Sequence, residues 1–457
     1  MIFIVQLSVL FAAGSLLFIL AWHRPEWVIL AAVSICAVMD LLQIAFYGLP
    51  LGILGVNLLI DSAMWMVLLG TSVVLLLQYR KSFPRDALPF FALMILFALS
   101  FSRGVSTFGK GAAEGGVNNL LTFVMPALAI MLVRPAFRLD AVRLAHWLTS
   151  AGLCLAAVAL LRWADLLPTP VELHDNLREV FHTLTADYSI IVGQAFIAAI
   201  YLHLVARRSA WYLAGAGILG AITFLLQQRG VWVATAAGLA WLALRTFRIS
   251  TVRWLRLGAI TGAALSLIMV VAPIALFESA SKIATINVHE AQKVDSTWAW
   301  RVEGYEEAIA QLLASGPLDI LIGPPAGWAE GTHASVAVIY IHDRYIDTLA
   351  NYGIVGFTVL LLWFGILTKR VCWPTTSPRG TPARDKAGAI FLEALLLSEM
   401  VYLIPWFGGP LQGAILGLIW VAAEQHNIIF GAYRVDFATS QCDRETKAAI
   451  YRINPEI

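Results

Sequence analysis

The chain has 457 residues, of which 60% are hydrophobic and 13% charged, and its mean hydropathy is +0.78. A soluble domain is about half apolar and about a quarter charged, so this composition excludes a water-soluble fold and requires a bilayer to take up the apolar surface. The formal charge of +2 is uninformative in total, so its distribution matters more, and no nucleic-acid partner is expected.

Met1 to Leu20 has no basic residue ahead of its apolar run and no small-residue cleavage site after it, so a retained first span is expected rather than a signal peptide. A helical span needs about 20 mostly apolar residues. The candidates in chain order are 2–22, 27–46, 51–78, 88–102, 117–133, 144–163, 188–206, 210–226, 230–245, 257–277, 351–368, 388–405 and 411–430. The stretch 51–78 is long and carries Gly52, Gly55, Asn57 and Asp61, which suits a tilted span or a re-entrant piece followed by a span. The expected fold is therefore all-α, a polytopic transmembrane bundle of about 12–14 spans.

Most of the 31 basic residues fall in alternate connections. These hold Arg24; Arg80, Lys81 and Arg85; Arg134, Arg138 and Arg143; Arg207 and Arg208; Arg245 to Arg256; Lys369 to Lys386; and the tail from Arg434 to Arg452. Basic loops stay in the cytoplasm, which puts the N-terminus out and the C-terminus in. The other side then holds the Gly-rich connection 103–116, the acidic connection 164–187, the turn 227–230 and one large extracytoplasmic loop, 278–350. No internal repeat is visible, which disfavours the common transporter architectures. Cys36 and Cys154 lie in apolar segments and Cys372 and Cys442 in basic connections, so neither a disulfide framework nor a metal site is expected.

The large loop is patterned. Trp298, Val302, Tyr305, Ile309 and Leu312 recur at three and four, Ser296 can cap the start and Ser315-Gly316-Pro317 ends the run. The spacing predicts an amphipathic helix lying on the membrane or on the bundle. A turn-rich stretch from Gly323 to Gly327 follows, then a segment with His342, Asp343, Arg344 and Tyr345 that enters the next span.

Arg229, Arg301 and His342 would share the outer face. A guanidinium is always charged and can hold two oxygens of a diphosphate at once. Fixed positive charge where such an anion leaves lowers the barrier, and an imidazole can take a proton from an attacking hydroxyl. Each residue also has an ordinary reading. Arg229 in a turn suits an interfacial anchor, Arg301 beside Glu303, Glu306 and Glu307 suits a solvated ion pair, and His342 competes with His289 and His333 as plain loop surface. Asp40 and Asp61 are candidates because acids inside apolar segments are expensive, though no role follows for them.

Three motifs together resemble the bacterial O-antigen ligase and O-antigen polymerase family of membrane glycosyltransferases. One is Gln227-Gln228-Arg229-Gly230-Val231-Trp232, between two spans. Another is Arg301 with Tyr305 four positions on, then Pro317 and the Gly323–Gly327 turn. The last is His342, Tyr345, Leu349, Gly353 and Gly356, leading into a span. The likeness covers roughly 210–370. It departs at Asp343, where the family usually has Asn, and at Tyr305, where it usually has Trp.

The resemblance implies a bundle of the membrane C-type glycosyltransferase kind in the bacterial inner membrane, with the loop periplasmic and the C-terminus cytoplasmic. Its parts would be N-terminal helices over 1–209, a core over 210–370 that includes the loop 278–350, and C-terminal helices with a tail over 371–457. The donor would be a glycan on undecaprenyl pyrophosphate, transferred without metal or other cofactor. Arg229 and Arg301 would bind the pyrophosphate and His342 would activate the acceptor hydroxyl; Asp343, Arg344 and Tyr345, which follow His342 directly, are further candidates that the resemblance itself does not supply. The acceptor would be another lipid-linked glycan in a surface or exopolysaccharide polymerase, or lipid A core in a ligase, and a chain-length regulator could be a partner. The polymerase is the favoured reading. A polyprenyl-linked glycan flippase and a scaffold without an active site are the rivals from other classes.

Overall fold

In the computed structural model, the residues described are 85–109, 113, 118–133, 139–164, 166–167, 184–207, 210–226, 228–247, 251, 297–331, 343–372, 383–406 and 408–425, with residue 23 and two short strands. The expected spans 2–22, 27–46 and 257–277 lie outside them, as do Cys36, Asp40, Asp61, His289, His333, His342 and Cys442. The strands β1 (Leu51–Ile53) and β2 (Val56–Leu58) pair antiparallel, with Gly52 opposite Asn57. The expected span 51–78 therefore opens as a hairpin rather than a helix, consistent with two poor helix formers in so short a stretch.

Everything else among the described residues is helical or connects helices. In order these are α1 (Leu88–Phe108), α2 (Asn118–Val133), α3 (Ala141–Trp163), α4 (Ala186–Tyr201), α5 (Ala210–Leu225) and α6 (Arg229–Phe247). They continue with α7 (Thr297–Ala314), α8 (Pro317–Ile322), α9 (Trp328–Gly331), α10 (Arg344–Cys372), α11 (Ala383–Tyr402) and α12 (410–425). Five stretches are long and apolar enough to cross a membrane: Arg85–Phe108, Ala141–Trp163, Ala186–Leu204, Arg229–Phe247 and Arg344–Cys372. α4 is the central one, with 83% of its apolar window buried, and a π-helical turn over Leu202–Arg207 extends it.

Small residues bring the helices together. In a bilayer, close van der Waals packing replaces the hydrophobic drive, and that needs positions without bulk. A side chain added at Gly152 of α3 would strike Ala195 of α4, and one at Gly220 of α5 would press on Phe196 at 3.1 Å. At Gly238 of α6 it would meet Ile197 of α4 at 2.6 Å and the Ala394 carbonyl of α11 at 2.9 Å, so three helices meet there. Gly413 of α12 lies against the Phe123 carbonyl of α2 in the same way. One hydrophobic core runs from Ala87 to Ala423 through α1 to α6 and α10 to α12.

α10 is two helices in one. Gly353 interrupts it with φ 63° and ψ −166°, a conformation that a residue with a Cβ rarely adopts. The expected span 351–368 therefore starts at this kink, and residues 344–352 form a separate approach segment. The kink leaves room for a backbone neighbour, since an atom at the Cβ position of Gly353 would lie 2.6 Å from the Gly323 nitrogen.

Helix α7 matches the expected amphipathic helix in extent, and its inner face rests on protein. Ala308 is fully buried with Trp328 and Ala329 of α9 and Ala350 of α10, while Tyr305 and Phe108 close the cluster. Contacts among the described residues gather at two ends of the bundle. At one end Arg370 pairs with Asp86 and reaches Glu424 at 3.6 Å. At the other end, called the site end below, α7 to α9 gather with residues 184–187, 228–230 and 403–412.

Candidate functional site

The site end is organised by the short segment 403–408, between α11 and α12. Its Gly408 has φ 66°, which turns the chain back sharply. Three sequence-distant pieces attach to it or to the end of α11. The Arg344 backbone N–H donates to the Leu403 carbonyl at 3.0 Å, and the Tyr345 hydroxyl donates to the Met400 carbonyl at 3.1 Å. Gly230 lies directly against it, with its missing Cβ 2.9 Å from Pro405 and 3.0 Å from the Trp406 indole nitrogen. Arg301 donates from Nη1 to the Pro405 carbonyl at 3.3 Å, and its guanidinium lies over the Trp406 ring at 4.9 Å. Pro405 and Trp406 therefore bring the Arg229–Gly230 turn and Arg301 to one place, although 71 residues separate the two arginines in the chain (301 − 229 = 72 positions apart).

Arg301 has no carboxylate partner among the described residues. Its Nε is buried and makes no hydrogen bond. Burial lowers its pKa from the ordinary arginine value, while neighbouring Tyr305 and Tyr402 oppose that effect. A guanidinium starts so far above neutrality that it stays charged. The charge is thus held by a carbonyl and an indole face and is not neutralised by an acid. One turn along α7, the Tyr305 hydroxyl is also buried without a partner. Burial and the nearby Asp343 push it up to about 12, which keeps it a neutral O–H donor.

Asp343 caps α10. Its Oδ1 accepts the backbone N–H of Tyr345 at 2.8 Å and of Ile346 at 2.9 Å, satisfying two of the helix's free donors. Burial pushes its carboxyl up to about 6, against the lowering effect of those two bonds. His342, immediately before Asp343 in the chain, is outside the described residues.

Arg344 is fully buried. Its Nη1 donates to Asp347 Oδ2 at 2.9 Å, its Nη2 donates to the Gly408 carbonyl at 2.9 Å, and it lies over the Phe123 ring at 4.8 Å. Asp347 in turn accepts from Asn351 at 2.8 Å. Its guanidinium thus binds the approach segment of α10 to the turn at Gly408. Tyr345 is half-buried against α11. Arg229 sits half-exposed at the first turn of α6.

A second set of contacts fixes the turn 323–327 to α1. Arg103 pairs with Asp319 and donates to the Gly323 carbonyl at 2.7 Å. Ser100 donates through its hydroxyl to the Pro324 carbonyl, and its own carbonyl accepts from Ala326, both at 3.0 Å. Neither this clasp nor the Pro405–Trp406 segment was singled out from sequence. The signal was present for the second, because Pro405, Trp406, Gly408, Gly409 and Pro410 form a turn-rich, aromatic run between two apolar stretches.

Fold and site together define a helical membrane protein whose polar groups converge at one end of the bundle. The chain matches no protein-family profile and no curated protein.

Proposed function

We propose that the protein is a membrane glycosyltransferase that moves a glycan from undecaprenyl pyrophosphate to an acceptor sugar hydroxyl at the outer face of the inner membrane, as a polymerase of surface or exopolysaccharide. The observation that carries this reading is Arg301, a half-buried guanidinium whose buried Nε makes no hydrogen bond and which forms no ion pair with an acid among the described residues. Such a charge suits an anionic diphosphate, which would supply the missing oxygens. Arg229, whose neighbour Gly230 lies against Pro405 and Trp406, would take the second phosphate. In the reaction the acceptor oxygen bonds to the anomeric carbon while the bond from that carbon to the pyrophosphate oxygen breaks. His342 takes the hydroxyl proton, and undecaprenyl pyrophosphate leaves as the anion held by the two arginines. The buried Arg344–Asp347 pair acts here by positioning, since it holds the Gly408 turn.

The experiment uses purified protein with a labelled undecaprenyl-pyrophosphate oligosaccharide, with and without lipid A core. A ladder of products without the core is expected. Transfer only to the core would make the protein a ligase, and no transfer with the native repeat unit would leave the flippase reading. Arg301→Lys keeps the charge and loses the two-toothed donor geometry, so it should be severely impaired; an Arg301→Lys protein with full activity would refute the diphosphate role.

A further inference from the structure

A different feature lies deeper in the bundle, where α4, α6 and α11 meet. Ile197, Gly238 and Ala394 form one apolar layer of that junction. One turn nearer the site end the next layer is polar, with Gln194 on α4, Thr235 on α6, and Ser398 and Glu399 on α11. Contacts place them together. Gln194 Nε2 donates to Glu399 Oε2 at 3.0 Å, Gly193 lies directly against the Thr235 hydroxyl, and an atom at the Cβ position of Gly238 would lie 3.1 Å from Ser398 Cβ. Gln194, Ser398 and Glu399 are fully buried and Thr235 is 5% exposed.

Four oxygens in this layer make no hydrogen bond: Gln194 Oε1, Thr235 Oγ1, Ser398 Oγ and Glu399 Oε1. One buried orphan is expensive, and four at one level of a three-helix junction call for a common partner. Charge points the same way. Glu399 forms no ion pair with any Lys or Arg among the described residues, and its nearest charged neighbour is another acid, Asp187, which accepts from the Tyr402 hydroxyl at 2.8 Å. A carboxylate buried in this way needs a positive charge.

We propose that Gln194, Thr235, Ser398 and Glu399 form a binding site for a monovalent hard cation, sodium. The ligand atoms are all oxygens, which suits a hard ion and not a transition metal. The single carboxylate balances one positive charge, whereas calcium or magnesium at this depth would keep an uncompensated charge. Protons compete for the same carboxylate, so sodium binds more weakly as pH falls. This site is independent of the transferase reading, since none of its residues belongs to the Arg301 cluster.

The test is equilibrium binding of radioactive sodium to the full-length protein in nanodiscs, with thermal unfolding measured as sodium replaces choline at constant ionic strength. Wild type should bind sodium saturably at about one ion per chain, and its unfolding temperature should rise by about 2 °C or more. Both effects should shrink at pH 5.5. Both should vanish in Glu399→Gln and weaken at least tenfold in Thr235→Val, a near-isosteric change that keeps the fold if the glutamine variant does not. Wild type that binds no sodium overturns the proposal, as does sodium binding that survives in both variants. A pH response that depends on Glu399 without any sodium response overturns it too, and would make the site a proton site.

Discussion

Replacing Asp347 with Leu removes the acid that forms an ion pair with Arg344, and the consequence can be worked from the contacts. Arg344 is fully buried and would keep the Gly408 carbonyl and the Phe123 face. Neither neutralises its charge. Breaking a buried pair from one side costs about 3–5 kcal/mol, and the retained contacts place Asp347→Leu near the lower figure. Asn351 loses one acceptor but keeps the Asp347 backbone carbonyl at 3.1 Å, so it adds little. The double variant Arg344→Met with Asp347→Leu removes both charges and fills the space with apolar atoms. Its remaining deficit is the Gly408 carbonyl left without its donor, about 1–2 kcal/mol. The double should therefore be more stable than Asp347→Leu alone, by about 1–3 kcal/mol, with a coupling well above the ~0.5 kcal/mol scatter of independent sites. Thermal unfolding of the four proteins in one detergent measures this. Single losses that simply add in the double would refute the pair as the element that holds the turn.

Three further outcomes are expected. Asp343 has a folded-state pKa of about 6, above the ordinary carboxylate value, so the folded protein binds this proton more tightly than the unfolded chain. Its contribution to stability is complete below about pH 4 and is lost as pH rises through about 6, and Asp343→Asn, which keeps the cap, should flatten that part of the stability curve; an unchanged curve would show that Asp343 titrates normally. Gly323→Ala puts a methyl group into the backbone of Asn351 at φ 85°, whereas Gly109→Ala has a similar φ of 84° and open space. The first should cost about 2–5 kcal/mol and the second about 1–3 kcal/mol, and equal unfolding shifts would remove the close approach as the reason for Gly323. A cysteine replacing Gly331 should react with an impermeant thiol reagent from outside and one replacing Arg379 should not; the opposite pattern inverts the orientation.

The sequence shows most of the helices and little of how they meet. Runs such as 144–163 and 188–206 reappear as the spanning-length stretches Ala141–Trp163 and Ala186–Leu204 within two or three residues, because a spanning helix must be continuously apolar and its length is set by the bilayer. The α7 boundaries are as legible, through Ser296 ahead of the helix and Ser315-Gly316-Pro317 behind it. The kink at Gly353 was not legible, since one glycine in an apolar helical pattern does not announce a positive φ. The gathering of Arg301 onto Pro405, 104 positions away, depends on how α7 lies across the bundle, and no local periodicity carries that information. Arg344 shows the same limit from the other side. Its position beside His342 suggests a ligand, and only the structure reveals that its donors are committed to Asp347 and Gly408.

The cross-bracing of the site end bears on the choice between a fixed site and alternating access. A rocking carrier needs two groups of helices that separate around the substrate, with few strong ties across the division. Here α1 is tied to the 323–327 turn through Arg103 and Ser100, and that turn is locked against the α10 kink by Gly323 and Gly353. α7 is tied to the 403–408 segment by Arg301, and the same segment is tied to α10 by Arg344 and backed by α6 at Gly230. Three spanning-length helices, α1, α6 and α10, together with α7, thus hold one another through backbone carbonyls and glycine contacts, which tolerate little sliding. Pulling α1 from the 323–327 turn, or α7 or α10 from the 403–408 segment, would break a charged hydrogen bond to a backbone carbonyl, each worth about 1.5–3 kcal/mol. That cost favours a rigid end of the bundle, where two arginines stay in place while a lipid-borne substrate arrives from the side, and it predicts that a disulfide between α1 and the 323–327 turn leaves glycan transfer intact. A flippase locked in the same way would stop, so retained transport by the crosslinked protein would be the result that undoes this argument for rigidity.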